Sequence, residues 1–380
     1  MTRVSPPLLV GRSDLLDDFA VGLDAGPGAP ERVTLYTGAR GTGKTVMLNQ
    51  VEDIARRQGW RVIPETATPG FVARLVDEHL PALLAEIDPE ATGSTLTGVS
   101  APMGLGGATW QPQDAHLAAP GLRAQLTRVC DLLAEGGTGL LVTFDEVHHH
   151  QVAELRDLAT AVQHLVREER AIAFVGAGLP SGVSAVLNDE VITFLRRADR
   201  HSLGTVPLDE VATALQDPIA HGGREIDDGL ARRAAEATGG YPFLIQLVGY
   251  HLWRRHPRDQ TITVDDVEAG IIAARRRLGS LVHEPALADL PGVARTFLLA
   301  MAHDDSASKM SDIAARLGVN ANYASQYRLR LIAAELIEPV DHGRVDFTMP
   351  FLRDFLRDHA ALDAQRDLPA ATRTPKDTGA

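Results

Sequence analysis

The chain has 380 residues, 44% of them hydrophobic, and a formal net charge of −13. That apolar content excludes global disorder, the length predicts two or three domains, and the acidity excludes nucleic acid coating the whole surface while leaving room for a local basic patch. No apolar run approaches the ~20 residues of a membrane helix. The first ten residues lack a charged segment followed by an apolar stretch, and Cys130 is the only cysteine, so a reducing, cytoplasmic setting without export or membrane is expected.

In chain order, residues 12–24 read as a short helix, followed by a Gly/Pro linker over 25–30. Residues 32–37 are β-branched and apolar and predict a strand. A glycine loop, Gly38-Ala39-Arg40-Gly41-Thr42-Gly43-Lys44-Thr45, comes next and opens a helix to about residue 58. A strand over 60–64 and a helix over 71–87 follow. Residues 89–121 are rich in Gly, Pro, Thr and Ser and read as an insertion, with a hairpin built from 95–101 and 107–111. Helices over 121–135 and 151–168 then alternate with strands over 139–144, 171–175 and 201–206. Strands alternating with helices imply a parallel sheet covered on both faces. From residue 208 to 278 the pattern is helical throughout. Beyond 286 come helices over 292–302, 309–317 and 321–336, two short strands around a turn at 341–344, and a helix over 350–360. The expected domains are an α/β core over 1–207, a helical lid over 208–280, a helix-turn-helix unit over 281–362 and a disordered tail over 363–380.

A triphosphate concentrates negative charge. Successive backbone N–H groups of a glycine loop can point at it together, and the following helix adds its positive end. Gly38, Gly41 and Gly43 let the backbone curve and approach closely. Lys44 is expected on the β- and γ-phosphates and the Thr45 hydroxyl on Mg²⁺. The loop follows a strand and opens a helix, as that chemistry requires, so ATP is the expected ligand. The apolar run from residue 140 to 144 ends in Asp145-Glu146. This places two carboxylates at the C-terminal edge of the sheet, where the loop also sits. Asp145 is expected to hold Mg²⁺, and Glu146 to orient and polarise the attacking water. His148-His149-His150 invites a metal reading, but neighbouring helix positions diverge by about 100° and do not converge on one ion.

These elements, the helical lid and Val10-Gly11-Arg12-Ser13-Asp14-Leu15 together resemble the AAA+ ATPases, most closely their origin-recognition-like and STAND-type group, across residues 8–360. The resemblance implies a P-loop NTPase parallel sheet with a helical lid, followed by a winged helix-turn-helix. It implies that Val10, Gly11 and Arg12 lie against the adenine. It also implies that Gly240-Tyr241-Pro242 is similar to the Gly-x-Pro element whose Pro242 touches the nucleotide. Relatives end the fourth strand in Asn, Thr or Ser to sense the γ-phosphate; here Gly176-Ala177-Gly178 follows, and Ser181 is the nearest substitute. An arginine before the last strand reaches a neighbouring subunit's ATP in such proteins, which points to Arg196, Arg197 or Arg200. The alternative is a solvated basic stretch pairing with Asp189, Glu190 or Asp199.

In the C-terminal unit, Gly318 suits a helix end and Asn320 can cap the next helix. On that second helix Ala324, Tyr327 and Leu331 share an inner face. Asn322, Ser325, Gln326 and Arg330 fall elsewhere and are types that contact bases or phosphates. Arg344 sits in the expected wing, and the stretch 309–337 is net positive because of Lys309, Arg316, Arg328 and Arg330. Two readings stand: an ATP-hydrolysing switch that addresses duplex DNA, or a STAND-like signalling ATPase whose output is self-association or assembly with another protein.

Overall fold

The structure, a computed structural model, describes residues 10–89, 121–147, 151–188 and 194–366. The expected insertion with its hairpin, His148–His150, and most of the tail lie outside the described residues. Contacts divide the chain into two compact units, Met1–Gly38 with Gly43–Leu203, and Ala39–Thr42 with Gly204–Ala380.

The first unit alternates helix and strand: α1 (Ser13–Asp24), β1 (Val33–Thr37), α2 (Lys44–Arg57), β2 (Arg61–Thr66), α3 (Phe71–Arg74), α4 (Leu80–Ile87), α5 (Leu122–Glu135), β3 (Leu140–Val147), α6 (Val152–Arg167), β4 (Ile172–Gly178), α7 (Pro180–Leu187) and β5 (Asp199–Ser202). A wider π-type turn, Leu75–His79, separates α3 from α4. All five strands are parallel, in the order β2-β3-β4-β1-β5. Side chains of alternate strand positions go to opposite faces. Leu141, Ala173, Val175 and Tyr36 therefore pack with α1 and α2, while Leu140, Val142, Phe144 and Phe174 pack with α3 to α6 on the other face. Burying a residue such as Val51 or Leu126 completely contributes ~1.5–3 kcal/mol, and both are at 0% exposure.

Four strands depart from the expected bounds, β2 running on to Thr66. β3 runs through the acidic pair to Val147, and β4 continues to Gly178. The last strand lies earlier than expected, at Asp199–Ser202, because its register against β1 is set by backbone pairing, Leu35 opposite Arg200, and not by apolar periodicity.

The second unit begins with α8 (Leu208–His221), α9 (Asp228–Thr238), α10 (Pro242–Arg254) and α11 (Val264–Leu278), with a two-residue parallel pairing of β6 (Glu225–Ile226) and β7 (Thr261–Ile262). It continues through α12 (Glu284–Ala288), α13 (Gly292–Ala302), β8 (Ser308–Lys309), α14 (Met310–Leu317), α15 (Ala321–Ala333), β9 (Ile337–Pro339), β10 (Arg344–Phe347) and α16 (Leu352–Arg366). The three short strands pair antiparallel in the order β8-β10-β9, one more strand than the periodicity predicts. Phe297, Leu298, Met301, Ile313, Ala324, Leu331, Val345 and Leu352 form the core beneath them. Gly318 ends α14 at φ +66°, and the Asn320 side chain accepts from the Tyr323 N–H at 2.9 Å, as expected of a helix stop and a cap.

Candidate functional site

The loop between β1 and α2 is built by its flanks. β1 is buried from Val33 to Tyr36, so the chain leaves the sheet abruptly at Thr37. Gly43 turns it at φ +87° into the first turn of α2, a conformation that costs an L-residue roughly 1–2 kcal/mol. Met47, Leu48, Val51, Ile54 and Ala55 recur at helical spacing and hold α2 against the sheet, which aims its N-terminal amides at the loop. The Lys44 ammonium donates to the Gly38 carbonyl at 2.8 Å. Within the tip, which groups with the second unit, the Thr42 hydroxyl donates to the Ala39 carbonyl at 2.9 Å.

The acidic pair sits where β3 leaves regular pairing. Phe144 faces Gly176 and Val147 faces Gly178, so three steps along β3 match two along β4. The extra residue is a bulge, which re-aims the side chains beside it. Asp145 Oδ2 accepts from the Thr45 hydroxyl at 2.7 Å, and Asp145 Oδ1 accepts from the Glu146 N–H at 2.8 Å. Glu146 is exposed and has φ +58°. Such backbone strain costs of order 1–3 kcal/mol. It is offset by its neighbours, since Phe144 is 0% and Val147 2% exposed. Behind the strand, the buried Thr143 hydroxyl donates to Glu52 of α2 at 2.7 Å, tying β3 to the helix that carries Lys44 and Thr45. A hydroxyl and a carboxylate oxygen at 2.7 Å are the hard-oxygen donor pair that suits a magnesium ion. Among the described residues no group of three or more His, Cys, Asp or Glu forms a metal site of its own.

The remaining expected site residues are scattered. Val10, Gly11 and Arg12 lead into α1; Arg12 is buried, and burial lowers its guanidinium pKa. Pro242 occupies the first position of α10. The fourth strand has no polar sensor for a physical reason: a Cβ at Gly176 would stand 2.8 Å from Leu35 Cδ2, and one at Gly178 2.5 Å from the Val147 carbonyl oxygen. Ser181 lies exposed in the first turn of α7. Arg196 donates to the Leu187 carbonyl at 2.8 Å. Arg197 ends a short 3₁₀ turn and lines a cleft of about 430 Å³ with Pro30, Arg32, Arg167, Arg170 and Phe194. That cleft also includes Val33 and Ile172, the first residues of β1 and β4, so it lies at the sheet edge opposite the loop. Arg200 does not precede the last strand, as expected, but is its second residue.

In the second unit, Asn322, Ser325, Gln326 and Arg330 are exposed on α15, and Arg344 opens β10 half-buried. Arg330 lies over the Tyr327 ring, 5.3 Å from its centroid. The expected basic surface is smaller than the sequence suggests. The Arg316 guanidinium is committed to the Ala300 carbonyl and to both carboxylate oxygens of Asp304. The residue that sequence reasoning passed over is Tyr241. Only 1% exposed, its hydroxyl donates to the Arg40 carbonyl of the loop tip at 2.7 Å, both residues lying in the second unit. The Gly-Tyr-Pro signal was present, but it pointed to Pro242.

A strand-loop-helix with a lysine and threonine at the start of its helix, and an acidic pair on a parallel strand separated from β1 by β4, define the α/β fold of a P-loop nucleoside triphosphatase. Residues 8–175 match the AAA ATPase domain model, and residues 280–356 match a domain of unknown function (DUF8462). Among solved structures the chain resembles the Walker-type ATPase PABY2304 of Pyrococcus abyssi, with a TM-score of 0.60 and 16% identity over 94% of this chain and 99% of that one. The Aeropyrum pernix ORC1 protein in complex with DNA follows at a TM-score of 0.44, 17% identity, and 96% and 97% coverage. The Thermotoga maritima RuvB Holliday junction branch migration motor follows at 0.43, 17%, and 92% and 95%. No curated protein matches the chain. No helix among the described residues is long and apolar enough to cross a membrane.

Proposed function

We propose that this protein binds and hydrolyses ATP and works as a nucleotide-driven switch that addresses duplex DNA through a C-terminal winged helix. The observation that carries the ATPase reading is the 2.7 Å contact between Thr45 Oγ1 and Asp145 Oδ2, with Glu146 as the next residue. Loop amides and Lys44 take the phosphate charge. Thr45 and Asp145 would hold the magnesium ion that accompanies ATP, which supplies charge neutralisation on the phosphates when bound. Glu146 accepts a proton from the attacking water through its carboxylate. The DNA reading rests on the exposed side chains of α15, Asn322, Ser325, Gln326 and Arg330, and on the half-exposed Arg344 at the start of β10, opposite Lys309.

The second reading is a STAND-like switch whose output is protein assembly. It is favoured by the exposed apolar groups of the same helix, Tyr323 at 38% and Leu329 at 62%, and by the loss of Arg316 to Asp304. ATP turnover measured with and without mixed-sequence duplex DNA separates the two. Stimulation by DNA supports the first. Nucleotide-dependent oligomers with no DNA affinity replace it with the second, and no ATP binding at all removes both.

A further inference from the structure

We propose that Tyr241 is a positioning residue for the phosphate loop: by holding the Arg40 carbonyl it fixes the Arg40–Gly41 peptide and so presents the Gly41 N–H to the phosphates. The inference rests on the ATP-binding reading above and adds to it a residue outside the loop, one that touches no phosphate itself.

The aim of the tyrosine is set by a tight turn. α9 ends at Thr238, whose fully buried hydroxyl donates to the Ala235 carbonyl at 2.6 Å and accepts from the Gly240 N–H at 3.1 Å. The Tyr241 N–H donates to the Thr238 carbonyl at 3.0 Å, and the Val206 N–H donates to the Gly240 carbonyl at 2.8 Å. Gly240 sits at φ +72°, and a Cβ there would stand 2.2 Å from the Val206 carbonyl oxygen. Pro242 then starts α10 with its preset φ. Each bond removes a rotation, so the Tyr241 side chain enters the interior in one direction.

At the far end of the ring the loop is shaped to receive it. Gly41 is at φ +77°, and a Cβ on it would lie 2.1 Å from the Tyr241 hydroxyl oxygen. Glycine is therefore required there twice, for the backbone conformation and for the approach of the hydroxyl. The bond to Arg40 O, 2.7 Å long, is part-buried, with the donor ring in the interior and Arg40 at the surface. Burial pushes the phenol up to about 12, so it stays protonated and remains a donor at neutral pH. A trans peptide is planar, with its C=O and N–H pointing in opposite directions. A donor that captures the Arg40 carbonyl from one side therefore directs the Gly41 N–H to the other. The cradling of phosphate by successive N–H groups depends on this orientation. The loop tip Ala39–Thr42 is also tied by the Thr42 hydroxyl and the Thr42 N–H, which donate to the Ala39 carbonyl at 2.9 and 3.4 Å, but neither of these bonds engages the Arg40 carbonyl.

The test uses the full chain and Tyr241→Phe, which keeps the ring and removes the donor. Calorimetry with Mg-ATP, tripolyphosphate and adenosine separates the phosphate subsite from the rest of the site. ATP and tripolyphosphate affinities are expected to fall together by roughly two- to tenfold, the range of one net hydrogen bond, with adenosine affinity unchanged. Equal ATP affinity in wild type and variant overturns the proposal, as does an equal loss for all three ligands, which marks general damage. Thr238→Val is the second variant, in case Tyr241→Phe fails to fold. It removes the Thr238 hydroxyl that ties the turn while keeping the Tyr241 hydroxyl, and it is expected to weaken tripolyphosphate in the same direction; an unchanged tripolyphosphate affinity in a folded Thr238→Val protein counts against the proposal. Failure here is distinguishable from failure of the ATPase reading, because the latter requires that wild-type protein itself bind no ATP.

Discussion

The Thr45 hydroxyl donates to the Asp145 carboxylate at 2.7 Å although one hundred positions separate them in the chain. This contact joins the helix that follows the glycine loop to the strand that carries Glu146. Behind it the buried Thr143 hydroxyl donates to Glu52 at 2.7 Å, a second tie between β3 and α2 within the first unit.

Lys44→Ala is expected to abolish tight ATP binding and leave the fold intact. Lys44 Nζ spans the loop to Gly38 O at 2.8 Å and is half-exposed, so its removal opens no cavity in the core. Losing a charged hydrogen bond of ~1.5–3 kcal/mol corresponds to roughly 10- to 100-fold in affinity. Calorimetry returning an unchanged dissociation constant would refute the site.

Glu146→Gln is expected to keep ATP bound and slow turnover by about 10²–10⁴, the usual contribution of a general base. Glu146→Gly is expected to do the same to turnover while raising the thermal midpoint, since glycine tolerates φ +58° without strain. Hydrolysis surviving within about threefold in the glutamine variant removes Glu146 from the chemistry. A lowered midpoint in the glycine variant refutes the strain argument.

Turnover per chain is expected to rise with protein concentration if Arg197 acts on a second copy's ATP. Its cleft is at the start of β1 and the loop at the end, roughly 13 Å of strand away, so Arg197 does not serve its own loop. Arg197→Ala then removes the concentration dependence, and Arg200→Ala tests the neighbouring candidate inside β5. Arginines acting across subunits contribute ~10³–10⁵ in rate. Flat specific activity over a broad dilution series, with only monomer by sedimentation, would exclude action between copies.

Asp304→Asn is expected to lower stability at pH 7 by about 1 kcal/mol, after allowance for solvent screening at this half-buried site. Hydrogen bonding from Arg316 holds the Asp304 carboxyl down at about 2. The folded value is below the ~3.9 of an unfolded aspartate, so the contribution is full above that pH and fades as pH falls towards 2. Thermal unfolding of both proteins from pH 7 to pH 2 checks this: the gap should close at the acid end, and a gap that persists or widens there contradicts it.

The C-terminal unit is expected to bind duplex DNA modestly and in a salt-dependent way. With Arg316 committed to Asp304, the exposed or half-exposed cations between residues 309 and 344 are Lys309, Arg328, Arg330 and Arg344. Four phosphates at a slope of ~0.9 each give roughly a 150-fold loss of affinity between 50 and 200 mM salt. Replacing Gln326 and Arg330 by alanine should weaken binding by ~1–3 kcal/mol if they reach base edges, with basal ATP turnover unchanged. Fluorescence anisotropy at 50 mM salt showing no binding in any nucleotide state would move the function to protein assembly.

The sequence by itself determined the glycine loop, the acidic pair on β3, and the stop at Gly318 with the cap at Asn320, because these are local signals. Gly43 before Lys44, an apolar run ending at Asp145, and Asn320 two residues after Gly318 each act within a few positions. Tertiary structure alone decided what depends on residues meeting from far apart. Backbone pairing with β1 put Arg200 inside β5, and one extra residue between Phe144 and Val147 left Glu146 at φ +58°. Leu35 and the Val147 carbonyl close the space where a polar sensor would extend from β4. Arg316, which the sequence places in a net positive stretch, is committed to an acid twelve positions upstream. Tyr241 and Arg40 lie 201 residues apart. Periodicity reports which face of an element is apolar, whereas a single hydrogen bond at that separation depends on the turn that aims the ring and on the missing Cβ at Gly41 that admits it.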